Sequence, residues 1–313
     1  MSRAISIIIP LYNEEENLLL LQSEIGSLMG GNRADSYEVI YVDDGSKDQS
    51  LSVLKKMQAA DDRVKVISFS RNYGQTAAMG AGVKYATGEI IVMLDADLQN
   101  NPADIPTLID KLEEGYDVVS GWRKQRYDEG FRVWLSHVAN KIISLTTKVH
   151  LNDYGCTLKA YRAATVQGIN FYGEIHRLLP AYAAWHGARV TEVVVNHRPR
   201  RFGHSKYGFS RIFKVLMDLL VVKFLIDYSA KPIYFFGTIG MLSLGFGGLS
   251  FILAVMLRIF YHISFIDTPL LLLTVVSVMV GVQLFSMGLL ADLILRSYYS
   301  TTTPYSIREK IGF

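Results

Sequence analysis

The fold of this chain is organised around residues 90–99, which read IIVMLDADLQ. The apolar run at 90–94 predicts a short buried strand, and Asp95 and Asp97 follow where that strand should end. Side chains two residues apart on a strand face the same side, so we expect the two carboxylates to converge, with Gln99 on the same face. Mg²⁺ and Mn²⁺ prefer such oxygen ligands and keep coordination positions for phosphate oxygens. The stretch therefore predicts a cation site that holds a diphosphate, with ordinary surface acids as the competing interpretation.

Short apolar runs alternate with helical patterns on both sides of this stretch. Strands are predicted at residues 4–10, 37–42, 64–69, 90–94 and 117–120, and helices at 18–28, 48–57, 76–85 and 102–113. This alternation predicts an α/β fold with an open, mostly parallel sheet. Farther along, the pattern predicts helices at 131–149 and 174–185, a strand at 189–197, and either a helix or a strand at 159–162.

Polar residues follow the first two predicted strands as well. Asn13 and Glu14 come after the first strand, and Asp43 and Asp44 come after the second. Ligands of open α/β sheets bind beyond the carboxyl ends of the strands, where an acid can accept hydrogen bonds from a ribose. Helix capping and a turn at Gly45 are the competing interpretation. The sequence lacks the glycine-rich fingerprints of nicotinamide-dependent and P-loop enzymes, which disfavours both classes.

Composition indicates a membrane-associated protein that does not bind nucleic acid. The 313 residues are 50% hydrophobic with a mean hydropathy of +0.21, and the formal net charge is only +3. Two largely uncharged stretches, at about 232–257 and 269–292, exceed the roughly 20 residues that cross a bilayer as a helix. Buried core helices are the alternative. Basic residues outside the two stretches predict that both termini are cytoplasmic, and the single cysteine, Cys156, fits a reducing compartment.

Three ordered motifs carry a family resemblance. Residues 6–14 read SIIIPLYNE, residues 42–46 read VDDGS and residues 94–99 read LDADLQ. Together they resemble the signatures of family 2 glycosyltransferases, whose GT-A fold is a Rossmann-like, mostly parallel α/β sheet. The runs EIHRLLP at 174–180 and GHSKYG at 203–208 resemble the polyprenyl-phosphate hexose transferases of that family, such as bacterial polyprenyl-phosphate (bactoprenol) glucosyltransferases and dolichol-phosphate mannose synthases. With the two C-terminal spans, the resemblance covers nearly the whole chain.

The resemblance and the charge pattern together divide the chain. Residues 1–204 are expected to form a cytoplasmic GT-A catalytic domain, and residues 205–230 a lid with interfacial amphipathic helices. Residues 231–296 would hold the two transmembrane helices, and residues 297–313 a cytoplasmic tail. The amphipathic pattern at 212–226 predicts a helix in the membrane interface, with a core helix of the soluble domain as the alternative.

The resemblance implies a nucleotide-sugar donor, a lipid-phosphate acceptor and a divalent metal, Mg²⁺ or Mn²⁺. It assigns donor binding to Pro10, Tyr12, Glu14, Asp43, Asp44, Asp95, Gln99, Arg200, Arg201, Ser205 and Lys206, and metal binding to Asp95, Asp97 and Gln99. Arg123, Arg132 and Ser136 match positions that bind the lipid phosphate, with ordinary surface charge as the alternative. The basic segment before the spans would close over the donor phosphates and exclude water.

The implied reaction is a direct displacement at the anomeric carbon of the sugar, with inversion. The nucleophile is an oxygen of the lipid phosphate, which is largely ionised at neutral pH because the second pKa of a phosphate monoester is about 6. A strong general base is therefore less necessary. Asp153 is the candidate for a base or an acceptor-orienting acid, with a turn-forming role beside Gly155 as the alternative, and Asp97 is expected to act in catalysis through the metal.

The sugar and the acceptor are the most open points. We expect glucose to pass from UDP-glucose to undecaprenyl phosphate at the cytoplasmic face of the membrane, the inner membrane in a bacterium. The alternatives are mannose from GDP-mannose, with a dolichyl or polyprenyl acceptor, and a UDP-linked 4-amino-arabinose. A catalytically inactive membrane-anchored assembly protein is the alternative from another class, against which the intact Asp95, Asp97, Arg123 and Lys206 argue. Glycines within the spans predict close helix packing and a homo-oligomer formed through the membrane region.

Overall fold

The computed structural model describes residues 4–29, 36–124, 140, 143–144, 147–169, 171, 175–199, 224, 228 and 232–299, with side chains as far as 294. The chain forms two compact units, Met1–Lys223 and Phe224–Phe313. The predicted helices at 131–149 and 212–226 lie outside the described residues, apart from isolated positions.

The first unit is built on a sheet that has seven strands among the described residues. The strands are β1 (Ile5–Leu11), β2 (Tyr37–Asp43), β3 (Val64–Ser68), β4 (Ile90–Met93), β5 (Val118–Trp122), β6 (Lys159–Arg162) and β7 (Val190–Val194). The helices of this unit are α1 (Leu18–Met29), α2 (Ser50–Ala60), α3 (Gln75–Tyr85), α4 (Ile105–Glu113), α5 (Ala163–Val166) and α6 (Ile175–Trp185), and a 3₁₀ turn, Pro102–Asp104, precedes α4.

The strand order, β3-β2-β1-β4-β6-β5-β7, explains where a ligand can bind. The chain first builds outward from β1 to β2 and β3, and then returns to place β4 on the other side of β1. A crevice opens at such a switch point, outside the carboxyl ends of the two central strands. The expected mostly parallel sheet is confirmed, and the ambiguous segment at 159–162 is a strand, β6, which runs antiparallel to both β4 and β5.

The core lies on both faces of this sheet. All seven residues of β1 are buried, as expected for a central strand of a parallel sheet covered by helices on both sides. Its alternate side chains enter different clusters: Ile7 packs with the α1 residue Leu18 on one face, and Ile8 packs with the α3 residue Met79 on the other. The two-residue period of the strand therefore divides one apolar run between two cores.

Several strands and helices begin or end at residues other than those predicted. Near these ends, side chains form hydrogen bonds with backbone groups that a helix or strand would otherwise use. Strand β4 ends at Met93, and Leu94 and Asp95 already lie beyond it. Helix α2 begins at Ser50 rather than at Asp48, because Asp48 accepts hydrogen bonds from the backbone N–H groups of Ser50 (3.0 Å) and Glu15 (3.3 Å). Such local side-chain bonds favour a turn over an early helix start.

The second unit consists of α7 (Pro232–Tyr261) and α8 (Leu270–Tyr299), which pack against each other. Small residues let the backbones approach: a Cβ on Gly240 would lie 2.9 Å from the carbonyl oxygen of Gly281. Ser243 Oγ donates to the carbonyl oxygen of Ser277 at 2.8 Å. Both helices are long and apolar enough to cross a membrane, and only 22% and 11% of their most apolar windows are buried. That exposure argues against the alternative of buried core helices.

Glu38, the second residue of β2, accepts several hydrogen bonds at the amino ends of the strands. Its Oε1 accepts hydrogen bonds from Ser6 Oγ (2.5 Å), Thr87 N (2.7 Å) and Thr87 Oγ1 (2.9 Å), and Lys65 forms an ion pair with Oε2. Burial by itself raises the pKa of Glu38, but the ion pair with Lys65 and these hydrogen bonds outweigh it and lower the pKa from 4.5 to about 2.

We expect Glu38→Gln to lower the free energy of unfolding by about 1–3 kcal/mol at neutral pH. Because the pKa of Glu38 is lower in the folded state, its contribution is present above the unfolded value of 4.5 and is lost as the pH falls towards 2. The difference between parent and variant, measured by denaturant unfolding between pH 7 and pH 3, should therefore shrink with acidification. A difference that stays constant over this range would contradict the prediction.

Helix α3 approaches β1 closely enough to require glycine at position 82, since a Cβ there would overlap Ile8 Cγ2. Gly82→Ala should destabilise the protein by about 1–3 kcal/mol through overpacking. Gly26 in α1 is the matched control, because a Cβ there meets no atom within 4 Å. Gly26→Ala should stabilise the protein by about 0.5–1 kcal/mol through helix propensity alone. Melting temperatures of both variants test the pair, and a Gly82→Ala protein as stable as the parent would contradict the close approach.

Candidate active site

The Asp95 carboxylate lies just past the end of β4 and is held from two sides. Gln75 Nε2, from the first residue of α3, donates to Oδ1 at 2.7 Å. Thr157 Oγ1, two residues before β6, donates to Oδ2 at 2.6 Å. These two hydrogen bonds fix the orientation of the carboxylate. Because Asp95 is partly buried, the carboxylate is only partly solvated.

Asp97 lies in a turn rather than on a strand. It is 8% exposed, and its Oδ1 accepts a hydrogen bond from the backbone N–H of Gln99 at 3.2 Å. Between them, Leu98 adopts a φ of +60°, a left-handed conformation that reverses the chain. The expectation that strand alternation aligns Asp95, Asp97 and Gln99 is therefore wrong, because the strand ends at Met93 and a turn places these residues instead.

The charges at the end of β4 favour a bound cation. Burial, and after it the neighbouring charge of Asp97, raise the pKa of Asp95 to about 6, against the hydrogen bond from Thr157 and the charges of Arg123 and Lys159. Two acids that repel each other in a poorly solvated turn are stabilised by a divalent cation, and their hard oxygens suit Mg²⁺ or Mn²⁺. The residues therefore fit the metal. The described part of the chain holds no group of three or more His, Cys, Asp or Glu at one site, so phosphate oxygens and water would complete its coordination.

Asp43 and Asp44 shape the loops beside the crevice. Asp44 is 4% exposed and accepts hydrogen bonds from the backbone N–H groups of Tyr73 (2.7 Å) and Gly74 (2.9 Å). Burial raises the pKa of Asp44, and these two hydrogen bonds oppose the rise. Asp43 accepts from Ser46 N at 2.9 Å and from Ser68 Oγ at 3.0 Å. The turn-forming interpretation of this motif describes these contacts well.

Glycine is required in the turn that follows. Gly45 has a φ of +72°, and a Cβ there would lie 2.5 Å from the backbone carbon of Arg71. The loop after β2 is thereby pressed against the loop that precedes α3. The two acids and the glycine of this motif thus build one wall of the crevice.

The loop after β1 is tied to the same wall. Asn13 N donates to Ser46 Oγ at 2.9 Å, and Glu14 N donates to Ser50 Oγ at 2.9 Å. Pro10 pairs with Val42 in the sheet. Tyr12 and Glu14, which follow it, are partly buried at the carboxyl end of β1. The residues predicted for nucleoside binding therefore come together at one end of the sheet.

Arg123 and Asp153 form a paired charge on the other side of β4. Arg123 Nε and Nη2 donate to Asp153 Oδ2 and Oδ1 at 2.7 and 3.1 Å. Two further backbone donors, Arg123 N (3.3 Å) and Gly155 N (3.1 Å), reach the same carboxylate. Asp153 is 1% exposed and the Arg123 side chain 17%. With four donors around it, the Asp153 carboxylate is arranged to hold Arg123.

Sequence reasoning missed three residues of this site, Gln75, Thr157 and Lys159. Lys159 is 3% exposed and donates from Nζ to the carbonyl oxygens of Tyr154 (3.2 Å) and Cys156. Burial lowers the pKa of Lys159 to about 8. A lysine within an otherwise buried strand was the available signal, since lysine is rarely buried without a specific partner. No local signal marks Gln75 or Thr157.

The remaining predicted site residues are Arg132, Ser136, Arg200, Arg201, Ser205 and Lys206, which lie outside the described residues.

The ion pair between Arg123 and Asp153 predicts a large coupling in a double-mutant cycle on unfolding. Asp153→Ala alone should cost about 3–5 kcal/mol, because it leaves a mostly buried guanidinium without its partner. The coupling with Arg123→Ala should reach about 2 kcal/mol or more.

Asp61 and Arg63 provide the control for this cycle. They form the same two-pronged contact, at 2.9 and 3.0 Å, but their side chains are 24% and 52% exposed. Their coupling should stay below about 1 kcal/mol. Equal couplings for the two pairs would show that burial adds nothing to the contact between Arg123 and Asp153.

A search of solved structures shows the fold. The glucosyl-3-phosphoglycerate synthase of Mycobacterium tuberculosis, solved in complex with Mn²⁺ and uridine-diphosphate-glucose, superposes with a TM-score of 0.54 at 20% identity. The match covers 73% of this chain and 81% of that one. The expected GT-A-like fold is therefore confirmed.

Comparison of sequences shows the family. The family model described as glycosyl transferase family 2 matches residues 6–169. A dodecaprenyl-phosphate galacturonate synthase of Rhizobium johnstonii is 39% identical, covering 98% of this chain and 93% of that protein. An undecaprenyl-phosphate 4-deoxy-4-formamido-L-arabinose transferase of Shewanella sediminis is 35% identical, covering 94% and 88%. This chain therefore belongs to glycosyl transferase family 2 and is a glycosyltransferase.

Proposed function

We propose that this protein transfers a sugar from a nucleotide-sugar donor to a polyprenyl phosphate. The observation that carries the proposal is the 39% identity, over 98% of this chain, to a protein named as a dodecaprenyl-phosphate galacturonate synthase. The relative at 35% identity is named for the same kind of acceptor. The likeness extends through the C-terminal helices, so it includes the segments that would meet a lipid.

The donor sugar is the point on which the sequence prediction changes. Glucose was expected, whereas the two relatives are named for galacturonate and for 4-deoxy-4-formamido-L-arabinose. The higher identity favours a galacturonate-type donor, with UDP as the nucleotide. The UDP-linked 4-amino-arabinose alternative is the second candidate, because the relative named for such a sugar is 35% identical. Neither relative is named for glucose or mannose.

Asp95 and Asp97 would hold a divalent cation, Mg²⁺ or Mn²⁺, which when bound supplies positive charge to the leaving diphosphate. The wall formed by the ends of β1 and β2 and the loops that follow them would hold the nucleoside. Its residues are Pro10, Tyr12, Glu14, Asp43 and Asp44. Gln99 would face the diphosphate, which the basic residues Arg200, Arg201 and Lys206 would cover together with Ser205.

On the acceptor side, the guanidinium of Arg123 would bind the lipid phosphate together with Arg132 and Ser136. An ionised phosphate oxygen forms the new bond to the anomeric carbon, while the bond to the diphosphate breaks and the diphosphate leaves with the electron pair. Since this nucleophile is already ionised at neutral pH, the mechanism needs no strong base. The four donors around Asp153 support an orienting role for it, through Arg123, rather than proton removal.

The two long apolar helices support a place in the membrane. The lipid acceptor requires that the reaction take place at a membrane surface, and we propose the cytoplasmic face, with both termini on that side. Assembly into a homo-oligomer through these helices is part of the same proposal. It rests on the glycines along α7, since Gly245 and Gly248 have no atom within 4 Å of an added Cβ and leave room for a partner helix.

The proposal is tested by a donor screen with the full chain in detergent. UDP-galacturonate, UDP-4-deoxy-4-formamido-L-arabinose, UDP-glucose and GDP-mannose are each offered with undecaprenyl phosphate and Mn²⁺, and the lipid product is read by mass spectrometry. We expect UDP-galacturonate to give the most product. A product from UDP-glucose or GDP-mannose alone would overturn the choice of sugar, and no lipid product from any donor would overturn the acceptor.

Two variants link the expected product to the site. Asp97→Ala should reduce transfer at least about 100-fold, because the metal would be lost and with it the positive charge that stabilises the leaving diphosphate. Asp62→Asn, which removes an exposed acid between α2 and β3, is the control and should leave the rate unchanged. Near-parental transfer by Asp97→Ala would rule out the proposed cation site.

A further inference from the structure

We propose that Thr157 and Gln75 are positioning residues, which aim the Asp95 carboxylate at the divalent cation and thereby set the affinity for that cation. The inference rests on the proposed function, because it concerns the same cation site. Neither residue belongs to the motifs that carry the family resemblance, and both act through Asp95.

Each oxygen of the Asp95 carboxylate accepts one hydrogen bond from a different side chain. Gln75 Nε2 reaches Oδ1 at 2.7 Å and Thr157 Oγ1 reaches Oδ2 at 2.6 Å. Each carboxylate oxygen has two lone-pair directions, so each keeps one for a cation. With a donor on each oxygen, rotation of the carboxylate would break both hydrogen bonds at once. A ligand held in this way loses little freedom when the metal binds.

Thr157 is itself held by a buried charge. The turn that precedes it runs from Asp153 to Cys156, and Lys159 Nζ donates to two of its carbonyl oxygens, those of Tyr154 and Cys156. At its other end, Asp153 is fixed by Arg123. Since Lys159 is 3% exposed, water offers its ammonium group no alternative to these carbonyls. Thr157 therefore directly follows a turn that is fixed at both ends.

Gln75 is held from the nucleoside side of the site. It follows Gly74, whose backbone N–H donates to Asp44 Oδ2 at 2.9 Å and whose φ is +96°. The wall made by Asp44 thus determines where α3 begins and where the Gln75 amide points. Asp95 is connected through Gln75 to the nucleoside wall and through Thr157 to the turn beside Arg123.

The test measures Mn²⁺ affinity directly, by electron paramagnetic resonance of free Mn²⁺ titrated into the full chain in detergent with saturating UDP. Thr157→Val removes the hydroxyl at nearly constant volume, and we expect Mn²⁺ to bind at least about tenfold more weakly. Thr157→Ser restores a hydroxyl and should bind within about twofold of the parent. Gln75→Leu should weaken binding in the same direction.

Thr87→Val is the matched control. Thr87 Oγ1 also donates to a carboxylate, Glu38 Oε1 at 2.9 Å, but it precedes β4 whereas Asp95 follows it. Its loss should leave the Mn²⁺ affinity unchanged even if the melting temperature falls. A Thr157→Val protein whose melting temperature falls while its Mn²⁺ affinity stays at the parental value would show a purely structural hydrogen bond and overturn the inference.

Different results overturn the positioning role and the cation site. If the parent binds Mn²⁺ and Asp97→Ala does not, but Thr157→Val and Gln75→Leu both bind like the parent, only the positioning role is overturned. If the parent itself binds no Mn²⁺ with UDP present, the proposed cation site is overturned and the positioning role with it.

Discussion

Two carboxylates held close together at the end of a central strand repel each other, and the site is built around that repulsion. Burial and the charge of Asp97 both act to raise the pKa of Asp95. The Asp95 carboxylate accepts hydrogen bonds from Gln75 and Thr157, and the positive charges of Arg123 and Lys159 stabilise its ionised form. Two acids at the switch point of the sheet, with hard oxygen atoms, favour a divalent cation.

The other polar residues serve mainly to hold this site in shape. Asp44 accepts two backbone N–H groups from the loop before α3, and Asp153 accepts four hydrogen bonds, three of them from Arg123. Acids at strand ends are easily assigned to ligand contacts. Here their hydrogen-bonding capacity is largely used to join loops that come from different strands. A rigid crevice is what a transferase needs, because water at the donor would give hydrolysis instead of transfer.

The two helices of the second unit are held together by a different kind of contact. Its helices meet through glycine and serine, with the backbones of Gly240 and Gly281 in close approach, while large apolar side chains such as Leu242 and Met279 are exposed. In water such a surface would be unfavourable, whereas in a bilayer it matches its surroundings and small residues provide the packing contacts. The length and composition of the helices were readable from the sequence because both are local properties.

The sequence by itself determined the α/β class, the order of strands and helices as far as β5, the two apolar spans and the family motifs. Each of these is written in local periodicity or in a short run of residues, as in IIVMLDADLQ. Only the tertiary structure decided that a turn places Asp97, that residue 159 lies on an antiparallel strand, and that Arg123 and Asp153 bind each other. It also brought Gln75 and Thr157, which are 20 and 62 residues away along the chain, to the same carboxylate. Contacts over such separations depend on strand order and register, which no local pattern of side chains encodes.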